Sequence, residues 1–459
     1  MAKFGFCAIS GSGMSALAQV LKYKNNEIFG SDRSFDQGKD QKNKKALTDI
    51  GIKIFPQDGS MLDKDFTALY ASTAVEDTIP DIKRAKELNI PIKHRSDLLA
   101  EVFASYKYNI AVGGTSGKST TTAMIGYILD NSDKKPLVIN GALLKNYENQ
   151  PGIPNVILND GEYCVIEADE SDGSIEKYSP YISVINNITL DHKSIEELQE
   201  LFGNFASKAS LGAVLNKDCP NSKPLLKTNK NTVTFSIKDK TADFYAQNIT
   251  PIPQGTLYTF KDKQYKLNLI GAFNVANAMC AVACCSLLGI EPEQSCQILE
   301  KFLGTKRRLE VLGTTNNITV IDDFAHNPDK VSESMSALKS YKGRLIIMFQ
   351  PHGFSPMRLM GKEIMDSFIE YMSDDDVLML PEIFFAGGTV KRDISSLDLV
   401  NYAKRHNKDA RFFETREELK QSILKIAKPH DRIVLMGARD NSITDMGFEI
   451  LEKVGQKQA

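Results

Sequence analysis

The chain has 459 residues, which at about 150 residues per domain points to roughly three domains. With 42% apolar and 25% charged residues, it is not a disordered chain, a fibre or a small disulfide scaffold. Its formal charge is −2 and the basic residues are spread along the chain, which excludes a dedicated nucleic-acid-binding face but not local phosphate sites.

Residues 4–9 are the first predicted strand, followed by Ser10-Gly-Ser-Gly and a helix over 14–23. Residues 27–30, 68–72 and 90–93 read as later strands. A second region opens with a strand at 109–112 and holds buried strands at 163–167 and 181–186, expected side by side. Between 216 and 269 the strands become short and alternating, 232–236 and 255–260 among them, which suggests an antiparallel insertion. Helices over 273–288 and 291–302 follow. The third region has strands at 318–322, 344–349, 376–380 and 432–436, and Asn327-Pro328 is a helix start. Apolar runs alternating with helical periodicities predict α/β domains: an N-terminal Rossmann-like domain, a central P-loop ATPase-like one with a mostly parallel sheet, and a C-terminal Rossmann-like one. The expected boundaries are 1–108, 109–309 and 310–459, joined by short hinges.

Seven cysteines (Cys7, Cys164, Cys219, Cys280, Cys284, Cys285 and Cys296) include no C-x-x-C pair and lie in apolar runs. They read as buried thiols of a reducing compartment rather than a metal site. No run of 18 apolar residues is present, so no membrane insertion is expected. The glycine-punctuated stretch 1–14 reads as strand and turn rather than a signal peptide, and a cytoplasmic location is expected.

Gly113-Gly114-Thr115-Ser116-Gly117-Lys118-Ser119-Thr120 follows a strand and opens a helix. Such glycines let backbone N–H groups curl round phosphate oxygens, with the helix N-terminus adding its dipole. Lys118 would then reach the β- and γ-phosphates and Ser119 would hold Mg²⁺. Val112 stands where the strict P-loop pattern has Gly, so the loop is a shortened variant. A second loop, Gly11-Ser12-Gly13-Met14-Ser15-Ala16, fits G-x-G-x-x-A with Asp32 downstream, a diphosphate-compatible turn. Two phosphate loops in separate domains suit an ATP-driven enzyme with a nucleotide-bearing second substrate.

Glu167-Ala-Asp169-Glu170-Ser-Asp172 places four carboxylates in six residues at the end of a strand. Hard oxygen ligands there suit Mg²⁺, with Glu167 and Glu170 both candidates. Asp191-His192 ends the next strand, and His192 is a candidate for a second metal or the γ-phosphate.

Together these residues resemble the Mur ligases, the ATP-dependent amide-forming enzymes of bacterial peptidoglycan synthesis, over essentially the whole chain. Gly114-Thr-Ser-Gly-Lys-Ser119 is similar to the family's phosphate loop. SGSGMS (10–15), Gly30-Ser31-Asp32, Ser72-Thr73, IPIKHR (90–95), EADESD (167–172) and Asp191-His192 are similar to the branch of UDP-N-acetylmuramate–L-alanine ligases and murein peptide ligases. Gly271-Ala-Phe-Asn-Val-Ala-Asn277, Gly304-Thr-Lys-Arg-Arg308, Asp322-Asp323-Phe-Ala-His-Asn-Pro328 and Phe349-Gln-Pro-His352 resemble later family motifs.

The resemblance implies ATP on Gly114, Thr115, Ser116, Gly117, Lys118, Ser119 and Thr120, with Asn274 at adenine, Asp323 at the ribose and Arg308 on the nucleotide. It implies UDP-N-acetylmuramate on Ser10, Gly11, Ser12, Gly13, Met14, Ser15, Ser31, Asp32, Ser72 and Arg95. One or two Mg²⁺ (Mn²⁺ as a substitute) would sit at Ser119, Glu167 and His192. Lys118, Glu167, His192 and His326 would be catalytic, and His352 and Arg358 would face the acceptor. A monomer or homodimer is expected, with small-molecule substrates and neither nucleic acid nor membrane as partner.

The departures fall on the acceptor side. Gly353 stands where an arginine is usual, Arg439 replaces a glycine, and Ser355-Pro-Met-Arg358 is closer to the murein peptide ligases. Ser116 and Phe324 are further changes. The acceptor is thus an amino acid, L-alanine first, or a recycled tripeptide. Lys208, near the position of a carbamylated lysine in some relatives, reads as a surface lysine. An ATP-binding regulator without turnover is the non-enzyme alternative, and a nicotinamide oxidoreductase rests on the first loop alone.

Overall fold

The computed structural model describes the chain apart from residues 73, 74, 172, 191, 192, 253, 386–390, 439, 441 and 457–459. His192, Asp191, Asp172, Thr73 and Arg439, singled out above, lie outside the described residues.

Two compact units are present: Met1–Asn248 with Tyr258–Leu267 and Asn274–Thr305, and Ile249–Leu257 with Asn268–Phe273 and Lys306–Ala459. The first unit opens with a five-stranded parallel sheet of β1 (Lys3–Cys7), β2 (Glu27–Ser31), β3 (Lys53–Phe55), β4 (Ala68–Ala71) and β5 (Ile92–His94). Its order is β3-β2-β1-β4-β5, so the chain reverses direction across β1, where an open α/β sheet forms its ligand crevice.

The second sheet of this unit has eight strands: β6 (Tyr108–Gly113), β7 (Leu137–Ile139), β8 (Val156–Ile157), β9 (Tyr163–Glu167), β10 (Ile182–Ile185), β11 (Gly212–Asn216), β12 (Thr232–Ser236) and β13 (Phe244–Tyr245). The order is β13-β12-β11-β10-β6-β9-β7-β8, parallel except for β7 with β8. This corrects two expectations. Strands β9 and β10 are not neighbours; they flank β6, so their loops converge on the phosphate loop from both sides. Strand β12 is not part of an antiparallel insertion; it extends the main sheet in parallel. Further strands β14 (Gln247–Ile252), β15 (Gly255–Phe260) and β16 (Lys263–Leu267) form a separate sheet. Lys261 and Asp262, at φ +46° and +60°, make the two-residue turn between the neighbouring strands β15 and β16, a hairpin and so antiparallel.

Phe6, Leu17 and Tyr70 from the first sheet and its helix share one core with Ala111, Ile166 and Phe202 from the second. Gln19 reinforces the junction: it donates to the Ile153 carbonyl (3.2 Å) and Asn155 Oδ1 (2.9 Å) and accepts from Ile153 N–H (2.8 Å).

The second unit carries β17 (Glu310–Thr315), β18 (Ile318–Asp323), β19 (Leu345–Phe349), β20 (Val377–Pro381), β21 (Asp409–Phe413) and β22 (Arg432–Met436), in the order β17-β18-β22-β19-β20-β21. Only β17 runs antiparallel. Strands β19, β20 and β22 read as nearly continuous apolar runs because helices cover both faces. The helix Pro328–Lys339 starts as its sequence demands: Asn327 accepts from Lys330 N–H (2.9 Å), with Pro328 in the first turn. No helix of the described residues is long and apolar enough to cross a membrane.

Candidate active site

Strand β6 delivers the chain into the loop 114–117 and the helix Lys118–Asp130. Gly114 (φ +125°) and Gly117 (φ +81°) are required twice over. Their backbone favours glycine, and a Cβ at Gly114 would lie 3.0 Å from Asn187 backbone atoms, one at Gly117 2.1 Å from Asn186 Nδ2. Asn187, just past β10, fastens the loop: its Oδ1 accepts from Ser116 N–H and Thr115 Oγ1 (both 2.8 Å), and its Nδ2 donates to the Ser116 carbonyl (3.0 Å).

Lys118 Nζ donates to the Gly114 carbonyl (2.8 Å) and to Glu170 (2.8 and 3.1 Å). Ser119 Oγ donates to Glu167 Oε2 (3.0 Å). The two candidate glutamates therefore have different partners: Glu167 meets the hydroxyl, Glu170 the ammonium. Burial raises the Glu170 carboxyl against the pull of Lys118. Asp169 is also opposed by burial but is held low by Lys118 and by hydrogen bonds from Ser171. The oxygen pair Ser119–Glu167 is a hard donor set that fits Mg²⁺. Among the described residues no group of three His, Cys, Asp or Glu side chains is placed to hold a metal. Lys208 donates to the Glu176 carbonyl (2.9 Å).

The predicted sugar-nucleotide residues gather at the C-terminal ends of β1, β2, β4 and β5. Asp32 accepts from Ser10 N–H (2.8 Å) and caps a short helix through Ser34 (2.8 Å), tying the first loop to β2. A Cβ on Gly13 would stand 2.9 Å from Arg95, so the missing side chain is what lets Arg95 lie against the loop. Ser15 Oγ donates to the Ser12 carbonyl (3.1 Å). Met14 and Ser31 turn inward: Met14 is in the core, and the Ser31 hydroxyl donates to buried Asp81. They shape the crevice from below. Ser72 follows β4 at its rim and is half-buried.

In the second unit the turn before β17 is held tightly. Arg307 and Leu309 have φ +57° and +46°, and Arg307 N–H is accepted by Glu310 (2.8 Å) and Leu309 N–H by Asp323 (3.1 Å). Ser334 Oγ takes the other Asp323 oxygen at 2.5 Å. Arg308 lies over the Phe324 ring (5.1 Å). His326 Nδ1 is 2.8 Å from the Phe324 carbonyl, so the tautomer that satisfies it carries its lone pair on Nε2. Arg358 donates to Asp393 (2.9 Å) and the Lys391 carbonyl (2.9 Å), an ion pair already made within the chain. His352 lies beside Gly437, where a Cβ would be 3.1 Å from its ring, and its centroid is 5.3 Å from that of Phe384.

Comparison with known proteins accounts for this arrangement from end to end. Three family descriptions match: the Mur ligase family catalytic domain at residues 3–107, the Mur ligase middle domain at 112–285 and the Mur ligase glutamate ligase domain at 307–439. The UDP-N-acetylmuramate–L-alanine ligase of Dictyoglomus turgidum is 33% identical, covering 99% of this chain and 97% of that protein. That of Geobacter sulfurreducens is 32% identical, covering 98% and 97%. The chain belongs to the Mur ligase family.

Among solved structures, the UDP-N-acetylmuramate–alanine ligase of Thermotoga maritima is similar over all of both chains, with a TM-score of 0.82 at 25% identity. A murein peptide ligase from Psychrobacter arcticus has the same fold, with a TM-score of 0.69 at 20% identity over all of both chains. This Mur ligase has residues at the loop that its sequence did not single out: Asn186, Asn187 and Thr189 after β10. The Asn-Asn pair at a strand end beside a phosphate loop was the available signal.

His352 of this Mur ligase has no hydrogen-bond partner at either ring nitrogen among the described residues. Burial pushes its pKa down from 6.5 to about 4. The unfolded chain then binds the proton more tightly than the folded one. The stability His352 contributes is complete above about pH 6.5 and is lost as the pH falls toward 4. The imidazole C–H signals of His352 are expected to stay put between pH 8 and about 5.5, and His352→Gln to flatten the acid side of the Tm–pH curve. A titration midpoint near 6.5 would overturn the assignment.

Proposed function

We propose that this chain is an ATP-dependent ligase that joins L-alanine to the lactyl carboxylate of UDP-N-acetylmuramate in the bacterial cytoplasm, for peptidoglycan synthesis. The observation that carries the reading is the phosphate loop, with Lys118 against Glu170 and Ser119 against Glu167, in a chain related along its full length to such ligases. The seven cysteines are free and buried, in keeping with a reducing compartment. In this reading residues 1–108 bind the UDP-sugar, 109–309 bind ATP and 310–459 bring the acceptor.

The sugar nucleotide is anchored by its diphosphate at the loop 10–15, with Arg95 as the cation against it. ATP lies along Gly114 to Thr120 with its adenine at Asn274, and Arg308 and Asp323 are the candidate nucleotide residues of the second unit. Lys118 balances charge on the transferring phosphoryl group. Ser119, Glu167 and His192 would hold Mg²⁺, which when bound offsets the charge of the phosphate oxygens. The lactyl carboxylate oxygen attacks the γ-phosphorus, the bond to the β–γ bridging oxygen breaks, and ADP leaves with that electron pair. The amine then adds to the acyl carbon, inorganic phosphate departs, and the amine proton passes to a base. His326 is the candidate, its Nε2 lone pair set by the Phe324 carbonyl at Nδ1. His352 stays neutral and polar beside the acceptor.

ADP release is expected only when UDP-N-acetylmuramate and an acceptor are both present, with L-alanine giving a product heavier by one alanyl residue in mass spectrometry. A panel of alanine, glycine, serine and murein tripeptide decides the acceptor, and turnover with the tripeptide alone would make it a murein peptide ligase. ATP binding without any turnover would leave the regulator reading, and a nicotinamide-linked absorbance change would favour the oxidoreductase.

A further inference from the structure

We propose that the turn Asn140-Gly141, which follows β7, completes the cation site: the Gly141 N–H positions Glu167, and the Asn140 side-chain oxygen receives a water of the hydrated divalent cation. The inference rests on the reading of a cation at Ser119 and Glu167.

Glu167 is held at both of its oxygens. Oε1 accepts from Gly141 N–H and Oε2 from Ser119 Oγ (3.0 Å). A Cβ at Gly141 would stand 2.9 Å from Oε1 and 3.3 Å from Oε2, so the carboxylate occupies the space a side chain there would need. Beside it, Asn140 is 1% exposed, and no donor among the described residues reaches its Oδ1. Its Nδ2 donates to the Ala142 carbonyl (2.9 Å). Turning the amide over would set oxygen against oxygen, which fixes Oδ1 as the end without a partner. A buried acceptor left without a donor is costly, and a bound water is the group that answers it.

Strand register brings this oxygen to the site. Strand β7 pairs with β9 in parallel, Ile139 beside Ile166, so the next residues along are Asn140 and Glu167. Residues two apart on a strand share a face, and Asn140 follows Val138 to the side of the helix Lys118–Asp130. A Cβ on Gly126 of that helix would lie 2.6 Å from Val138, and Ser119 of its first turn meets Glu167 on the same side. The turn is also anchored from behind: Asn140 N–H donates to the carbonyl of fully buried Asn155 (3.0 Å). Mg²⁺ keeps several of its waters and takes few carboxylates, so a neutral amide oxygen suits its outer shell. Asn140 and Gly141 are positioning residues, acting on the cation through a water and through a carboxylate.

The test uses Mn²⁺ and ADP on the full chain, reading bound Mn²⁺ by electron paramagnetic resonance and metal-free ADP binding by calorimetry in EDTA. In Asn140→Ala the affinity of the ADP complex for Mn²⁺ is expected to fall about tenfold or more, while ADP alone binds within about threefold of wild type. Gly141→Ala should show the same split. Asn140→Asp keeps the oxygen and gives up the donor to Ala142, and should hold Mn²⁺ more tightly than Asn140→Ala. Equal losses of Mn²⁺ and metal-free ADP, an aspartate variant as weak as the alanine one, or no change in either ligand overturns the inference. Asn140→Ser, too short to reach the same point, gives the comparison if the alanine variant does not fold. The two readings fail separately: a wild-type ADP complex that takes up no Mn²⁺ removes the cation reading, whereas equally tight Mn²⁺ in wild type and Asn140→Ala removes only the role of the turn.

Discussion

Lys118→Ala is expected to lower ADP release by about 10³-fold or more and, independently, to destabilise the first unit by about 3–5 kcal/mol. The two effects have different origins. Activity falls because the cation that balances charge on the transferring phosphoryl group is gone. Stability falls because Lys118 and Glu170, with side chains 16% and 5% exposed, are a buried ion pair, and removing one partner strands the other. Burial already raises the Glu170 carboxyl, so in the variant it takes up a proton, which moves the loss toward the lower end of that range. The double variant Lys118→Ala/Glu170→Gln should therefore recover most of the lost Tm while staying inactive. Calorimetry and a coupled ADP assay on wild type, single and double variants read the two effects separately. Full ADP release by Lys118→Ala would remove the phosphate-loop assignment, and a double variant as unstable as the single would remove the ion-pair argument.

What the sequence made legible here follows from how local each signal is. The G-K-S loop and the Asn327-Pro328 helix start depend on backbone geometry within a few residues, and both were found where expected. The apolar runs 163–167 and 432–436 match β9 and β22 at both ends, because a strand buried on both faces has no competing period. The strands Lys53–Phe55 and Asp409–Phe413 went unseen: both are short or polar edge strands, lacking the apolar run of a central one. Strand direction at 232–236 is not legible because alternation reports one partly exposed face, and a strand second from the edge of a parallel sheet produces that as well. Side-chain partners were the least legible. Asp323 and Arg358 are candidate ligand contacts by type and motif, and no motif announces the internal partners the fold gives them, Leu309 and Ser334 for the first and Asp393 for the second. The asparagines around Ser116 come from β10 and from a helix more than 80 residues later, so only tertiary structure assembles them.

The other large effect is expected at Asp322, which no ligand needs to touch. Its side chain is fully buried, pairs with Arg307 at 3.3 Å, and accepts from Thr444 Oγ1 in the helix Ser442–Gln456. Arg307, 7% exposed, also donates to the Gly437 carbonyl, so one carboxylate organises the turn at 307–309, the end of β18 and the loop after β22. Asp322→Ala leaves a buried guanidinium without its counter-charge, a loss of about 3–5 kcal/mol. For a domain of this size that corresponds to a fall in Tm of roughly 6–20 °C. Asp322→Asn keeps the shape and the acceptor oxygen and should lose clearly less. The turn also carries Arg308 between two residues at positive φ, a conformation that persists only while its surroundings impose it. Loosening it should raise the KM for ATP several-fold with a smaller change in kcat. A Tm within about 2 °C of wild type would show that Arg307 finds other partners and that the turn does not depend on Asp322.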